Sequence, residues 1–491
     1  MRTAGILLPI SSLPGPWGIG TLGKDAYQFI DFLASAGQTY WQILPIGPTG
    51  YGDSPYQSFS AFAANPYLID PDQLCKDGLL TPQELAQFSW GSTPNSINYG
   101  LLYNKRPKLL HLAVQRLPQN DADFLNFCTN NNIWLEDYSL FMSLKEEHQQ
   151  RSWFDWPDPL RLRQADALEE ARCRLASQIH YWKAVQFFFY KQWGAFKDYA
   201  NQHGVSIIGD IPIYVSPDSS DLWADPELFQ VDEDRRLTQV AGCPPDAFAA
   251  DGQLWGNPLY NWQQHQATHY DWWCRRMTHA CTVYDVVRID HFRGFESYFS
   301  IPANESTARG GAWCKGSGME LIHAIQQRLP HAHIIAEDLG YLTPEVKELL
   351  KNSGYPGMNV LQFAFDSRES GDYMPHNYLR NSVTYTGTHD NTTITAWQTE
   401  ASLQDVTLAQ RYMGCASFEE LPQAFIRTAL ASVSDTTIIP MQDWLGLGSE
   451  ARMNTPSVPD GNWQWRMSAH AATPSLAKHI RELTELYGRL S

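Results

Sequence analysis

Positive charge is scarce in this chain. Lys and Arg number 36 against 53 Asp and Glu, a formal charge of −17, and a net acidic protein repels the phosphates of nucleic acids and anionic membranes at long range. Neither partner is expected, whereas a neutral ligand meets no such penalty. Long apolar runs are missing as well. None approaches the ~18 residues of a membrane span, and Ala4 to Leu8, cut off by Pro9, is too short for a signal-peptide core. Cysteine is thinly used: the eight thiols, at 75, 128, 173, 243, 274, 281, 314 and 415, show no paired metal spacing and read as reduced. Asp232-Glu233-Asp234 starts like a calcium loop, but Arg235 and Arg236 follow and no glycine turn appears, so a solvated turn is expected. The expectation is a cytoplasmic monomer with no metal and no cofactor.

What the chain has in quantity is aromatic surface, with 18 Trp, 23 Tyr and 22 Phe in 491 residues. Most of these rings must be core, but pyranose rings carry apolar C–H faces that stack on aromatic planes, so an aromatic cleft suits a carbohydrate. The length allows one large domain with insertions.

Eight short apolar or β-branched runs mark strands: Gly5–Leu8, Tyr40–Pro45, Ser206–Ile213, Val283–Ile289, Ile334–Glu337, Val360–Phe365, Ser382–Thr386 and Thr436–Met441. Helical patterns fall between most of them. Ala26, Phe29, Ile30 and Leu33 share one helix face, Thr343-Pro344 supplies an N-cap and first-turn proline, and a stretch near Ile179 to Asn201 feeds the third strand. Strands alternating with helices predict an α/β fold, a (β/α)₈ TIM barrel. The whole of 1–491 then forms a single catalytic barrel domain. Two gaps exceed simple barrel connections and predict insertions after strands two and three. The first, 51–200, reads as mainly helical, with a capping box at Thr81 and Glu84. The second, 214–282, is rich in Pro, Gly and aromatics at 242–246 and 255–258, which suits a shaped lid loop over the active site. The stretch after the eighth run is too short for a β-sandwich of ~100 residues, so no C-terminal β-domain is expected.

In a barrel the C-terminal ends of the strands face the active site. A carboxylate recurs there: Asp210 in Gly209-Asp210-Ile211-Pro212, Asp290 in Arg288-Ile289-Asp290-His291, Glu337 in Glu337-Asp338-Leu339-Gly340, and Asp390 in Gly387-Thr388-His389-Asp390-Asn391. Cleaving a glycosidic bond with retention needs a nucleophilic carboxylate and a proton donor ~5–5.5 Å apart. Strands four and five are barrel neighbours, and alternation puts Arg288 and Asp290 on one face, where the guanidinium keeps the aspartate ionised. Asp290 is then the nucleophile and Glu337 the acid/base, with His389 and Asp390 holding hydroxyls of the reacting ring. A lone Arg-x-Asp or Glu-Asp pair is usually structural; the joint placement carries the reading. Asp338 points the other way along the strand and is read as supporting structure.

One rival motif is Gly18-Ile19-Gly20-Thr21-Leu22-Gly23, which matches the dinucleotide fingerprint G-x-G-x-x-G. The preceding strand ends too early, prolines intervene, and the second strand ends without an acid for a ribose. A structural turn is expected. A further reading, a glucan-binding protein without catalysis, runs against the full set of carboxylates.

Together with Ser12-Leu13-Pro14-Gly15 and the run Pro48 to Gln57, these segments resemble the amylomaltase family of 4-α-glucanotransferases, in the α-amylase clan. The resemblance covers nearly the whole chain. It implies transfer of α-1,4-glucan segments among maltooligosaccharides by a retaining mechanism, with Asp290 as nucleophile, Glu337 as acid/base and Asp390 fixing the distorted sugar. It further implies that Tyr56, Asp210, Arg288 and His389 contact the donor glucose, that Ser54, Gln253 and Trp255 lie along the cleft, and that Tyr51 binds glucan at a secondary surface site. The alternative on the same fold is an α-1,4-glucan hydrolase. The chain departs from the family pattern at Ala247-Phe248-Ala249, which implies a thinner aromatic cover over the acceptor.

Overall fold

The computed structural model describes residues 2–50, 52–91, 93–245, 251–340, 342–367, 373–458 and 460–490. Eight parallel strands form one sheet: β1 (Thr3–Leu7), β2 (Tyr40–Gln42), β3 (Ser206–Ile211), β4 (Val286–Ile289), β5 (Ile334–Ala336), β6 (Gly357–Val360), β7 (Ser382–Tyr385) and β8 (Thr436–Pro440). Their order is β6-β7-β8-β1-β2-β3-β4-β5, and the sheet curls until its edges meet. At that seam the Ala336 N–H donates to the Pro356 carbonyl at 3.0 Å and the Met358 N–H to Asp338 Oδ1 at 2.7 Å. This is a TIM barrel. Its strands are apolar because helices cover them outside and side chains fill them inside.

The helices follow from their sequences. Lys24–Ser35 buries Ala26, Phe29, Ile30 and Leu33, and Pro344–Ser353 starts on the Thr343 hydroxyl and ends at Gly354, whose φ of 73° suits a residue without Cβ. Between β2 and β3 the elements are helical, among them Tyr99–Val114, Asn132–Glu147 and Ala176–Gln202. The capping box forms there, with Thr81 Oγ1 accepting from the Glu84 N–H and Glu84 Oε2 from the Thr81 N–H. Among the described residues no helix is long and apolar enough to cross a membrane.

Three expectations need correction. The sixth strand runs over Gly357–Val360, and the apolar run Leu361–Phe365 is a 3₁₀ turn. Leu361, Ala364 and Phe365 serve a second small core with Val406 and Phe425 from the helices between β7 and β8. Their spacing of three to four is a helical period, not a strand's. Val283 ends the helix Asp271–Val283 and does not start a strand. The segment expected as a shaped loop contributes strands Gln239–Cys243 and Gln253–Pro258 to an antiparallel sheet with Ser297–Pro302 and Ala312–Lys315. Gly242 permits it, because a Cβ there would stand 2.2 Å from the Gln253 carbonyl oxygen.

Two motifs resolve as turns. In Gly18–Gly23, a Cβ on Gly20 would lie 1.8 Å from the Ile10 carbonyl oxygen and one on Gly23 1.9 Å from Asp70 Oδ2. The chain's own carboxylate therefore sits where a dinucleotide phosphate would have to approach the helix. Asp232 Oδ1 accepts from the Arg236 N–H at 2.8 Å and closes a tight turn.

Candidate active site

The mouth of the barrel opens into a cleft with a cavity volume of about 2670 Å³, well above the ~300–1,000 Å³ of a small-ligand pocket. A chain of sugar units fits that size better than a single metabolite does. Its floor comes from the strand ends. The ladder pairs Arg288 with Ile335 and Ile289 with Ala336, so Asp290 and Glu337 follow side by side at the ends of adjacent strands, and the Glu337 N–H still donates to the Ile289 carbonyl at 2.9 Å.

The charged groups of the floor form one network. Arg288, 3% exposed, donates from Nη1 to Asp210 Oδ2 at 2.5 Å and pairs through Nη2 with Asp290 Oδ1 at 3.0 Å. Burial works against its charge, but the Asp210 and Asp290 carboxylates outweigh burial and hold the guanidinium well above its usual range. Asp210 is 1% exposed and lies beneath the cleft. Its Oδ2 also accepts from the Tyr56 hydroxyl at 2.7 Å. Tyr56 in turn stacks on His389, with centroids 5.0 Å apart and planes at 17°. Burial, then Asp210, raises the Tyr56 phenol well above its usual range, so it remains a donor; burial lowers His389, which stays neutral.

Glu337 is held by two backbone donors, the His291 N–H at 2.6 Å on Oε2 and the Leu339 N–H at 2.8 Å on Oε1. His291 can aim its N–H there because it adopts φ 53°, a left-handed conformation that costs strain in a non-glycine residue. Burial raises Glu337 above the usual carboxylate range, and Arg288 and the two N–H groups draw it back. Asp290 is likewise raised by burial and drawn down by Arg288, while its side chain keeps 29% exposure to the cleft. The two neighbouring carboxyls also repel each other's charge, which adds to burial in holding Asp290 above the usual carboxylate range. Asp390 is tied by Asn454 Nδ2 at 2.6 Å and stands 3.4 Å from His389 Nε2.

The walls come from the connections. Ser54 and Tyr56 line the cleft from the segment after β2, and Gln253 and Trp255 from the antiparallel hairpin. Trp255 donates from Nε1 to Gln253 Oε1 at 3.0 Å and meets the His291 ring edge-on at 4.9 Å. Ten of the residues singled out in the sequence thus gather at one site, Asp210 from below. Tyr51 and the lid residues Ala247, Phe248 and Ala249 lie outside the described residues. Asp338 borders the cleft at the β5/β6 seam, where its Oδ1 accepts from the Met358 N–H at 2.7 Å. Sequence reasoning missed Asn454 and Trp463, which also line the cleft; no spacing or strand end marks them.

Set against known proteins, the chain matches a family model described as 4-alpha-glucanotransferase over residues 8–472. It is 46% identical over 483 residues to a 4-alpha-glucanotransferase of Clostridium butyricum, covering 98% of this chain and 99% of the other. It is also 46% identical over 495 residues to the Streptococcus pneumoniae (TIGR4) enzyme of that name, covering 100% and 98%. Among solved structures, the amylomaltase from Streptococcus agalactiae in complex with acarbose superposes with a TM-score of 0.97 at 41% identity, covering 100% of both chains.

Proposed function

The chain belongs to the 4-alpha-glucanotransferase family, whose activity it shares, and from that premise we propose that Asp290 and Glu337 carry the transfer as nucleophile and acid/base. One observation supports this most: the two carboxyls end adjacent strands at the floor of one long cleft, with Arg288 bound beside them. Adjacent strands stand about 4.8 Å apart, close to the ~5–5.5 Å that a retaining pair requires.

In the first half, Asp290 attacks the anomeric carbon of the donor while the bond to the leaving glucan breaks and Glu337 gives its proton to the departing oxygen. A glycosyl ester on Asp290 results. In the second half, Glu337 takes the proton from the 4-hydroxyl of an incoming glucan, whose oxygen displaces the Asp290 carboxylate. One α-1,4 bond is broken and one is made, and two inversions restore the configuration. Asp390, anchored by Asn454, holds the flattened ring together with His389. Tyr56 offers its ring to the donor glucose, and Asp210 and Arg288 keep that residue and the nucleophile in place. Ser54, Gln253 and Trp255 hold the acceptor, and a lid around 241–255 keeps water from competing. Tyr51 is assigned to a secondary glucan contact on the surface. Acarbose, which the similar amylomaltase binds, is expected to occupy this cleft.

The segments 51–200 and 214–282 are read as subdomains inserted into one catalytic domain, and the protein as a cytoplasmic monomer acting on maltooligosaccharides and α-1,4-glucans. Eight free thiols suit a reducing compartment. Sedimentation at the mass of one chain supports the monomer, and at twice that mass overturns it. Incubation with maltotriose tests the chemistry. Glucane transfer gives glucose plus longer maltooligosaccharides at constant reducing ends; rising reducing ends would mean a hydrolase, and an unchanged substrate a binding protein.

A further inference from the structure

The segment Ser12-Leu13-Pro14-Gly15 and the turn after it take no part in the catalytic cleft, yet two buried arginines hold them. Arg466, 3% exposed, donates to the Leu13 and Gly15 carbonyls at 3.1 and 2.9 Å. Arg106, 0% exposed, donates to the Trp17 carbonyl at 2.9 Å. Burying a guanidinium is costly unless its donors are satisfied. The loop carbonyls answer Arg466, while Arg106 divides its donors between the Trp17 carbonyl and the Ile69 carbonyl, 3.0 Å from its Nη1, so the loop backbone is held at Leu13, Gly15 and Trp17.

The fixed loop walls a separate cavity of about 410 Å³, none of whose lining residues lines the catalytic cleft. Pro16, Trp17 and Pro94 bring apolar surface to it, and Lys24, Asp25 and Asp72 bring polar atoms. The Trp17 Nε1–H donates to Asp72 Oδ2 at 3.2 Å. That bond uses the only indole donor and sets the ring, and Asp72 Oδ1 has no hydrogen-bond partner among the described residues.

A set aromatic ring beside unused carboxylate oxygens is suited to a pyranose, whose C–H face stacks on the ring while its hydroxyls donate to the carboxylates. An anionic ligand would meet Asp25, Asp70 and Asp72 together. A cation finds little: both Asp70 oxygens are engaged, by the Thr21 hydroxyl at 2.7 Å and the Gln73 N–H at 3.0 Å, and among the described residues no group of His, Cys, Asp and Glu is disposed to hold a metal. The volume lies in the ~300–1,000 Å³ range of ligand pockets, enough for a short run of sugar units.

We propose that the cavity walled by Trp17 is a second binding site for α-1,4-glucan, separate from the catalytic cleft and from the surface contact assigned to Tyr51. The choice of ligand rests on the glucanotransferase reading above. A polymer that occupies both cavities gains affinity by linkage, whereas maltotriose is turned over in the cleft alone.

The test is affinity electrophoresis in gels containing glycogen, paired with maltotriose kinetics, on the native protein and on Trp17→Ala, Trp17→Phe and Asp72→Ala. Trp17→Ala should weaken glycogen affinity about 5–10-fold and Asp72→Ala less, with Trp17→Phe keeping most of it. All three should keep kcat and KM for maltotriose within about twofold, as expected of a distant site. Unchanged glycogen affinity in Trp17→Ala and Asp72→Ala overturns the proposal, and so does a loss matched by an equal loss of maltotriose turnover. Should Trp17→Ala fail to fold, Asp72→Ala decides. A native protein that binds glycogen through Trp17 yet leaves maltotriose unchanged would overturn the transferase reading and leave this site standing.

Discussion

On the cleft floor every charged side chain is tied to another group: Arg288 to Asp210 and Asp290, Glu337 to the N–H groups of His291 and Leu339, and Asp390 to Asn454. On the hairpin wall, Trp255 donates to Gln253, two residues away, and rests its ring against those of His291 and Tyr214. The difference separates two tasks. Charge develops and disappears at the floor, and dipoles set in advance need no reorganisation as the reaction proceeds. The wall meets neutral hydroxyls and ring faces of glucans of varying length, for which an apolar plane with a local anchor is enough.

Substitutions on the two sides should therefore fail differently. Asp290→Asn removes the nucleophile, and glucose release from maltotriose should drop by at least about 10⁴-fold; retained turnover would exclude Asp290 from that role. Arg288→Met should lower kcat by about 10²–10³-fold and also move the pH profile. Burial raises both carboxyls and Arg288 pulls both down, so without it both climb. Activity needs Asp290 ionised and Glu337 protonated, so both limbs of kcat/KM should shift to higher pH. An unshifted profile would show that Arg288 does not set these charges.

Trp255→Ala should leave the chemical step nearly intact while raising the acceptor KM about tenfold. It should also raise the fraction of reducing ends released to water, and an equal fall in kcat would place Trp255 with the floor. The smallest effect concerns stability. Burial pushes Asp338 up to about 7 from 3.8, so the folded state holds a proton that the unfolded state gives up. That contribution is complete below the unfolded value and is lost as pH rises through about 7. Asp338→Asn keeps an oxygen to accept the Met358 N–H and has no proton to lose. Its Tm should fall less than the native Tm between about pH 5 and pH 8, and parallel falls would show that Asp338 does not titrate there.

Much of the barrel was open to reading, since parallel strands buried on both faces are short apolar runs separated by helical periods. The misreadings have physical causes. Leu361–Phe365 is apolar for the sake of a second core, and the hairpin around Gly242 is poor in β-branched residues because glycine is what lets its strands approach. Asn454 stayed hidden because nothing local distinguishes it from any other loop asparagine.

The sequence by itself determined which strand ends carry a carboxylate, and that Arg288 and Asp290 share a face, because alternation along a strand is local geometry. Only the tertiary structure decided what those groups are worth. Tyr56 meets Asp210 across 154 positions and Asn454 meets Asp390 across 64, and the upward shift of the Asp290 and Glu337 carboxyls comes from burial, drawn back by the Arg288 guanidinium. Burial and through-space charge belong to the folded chain, and no residue carries them alone.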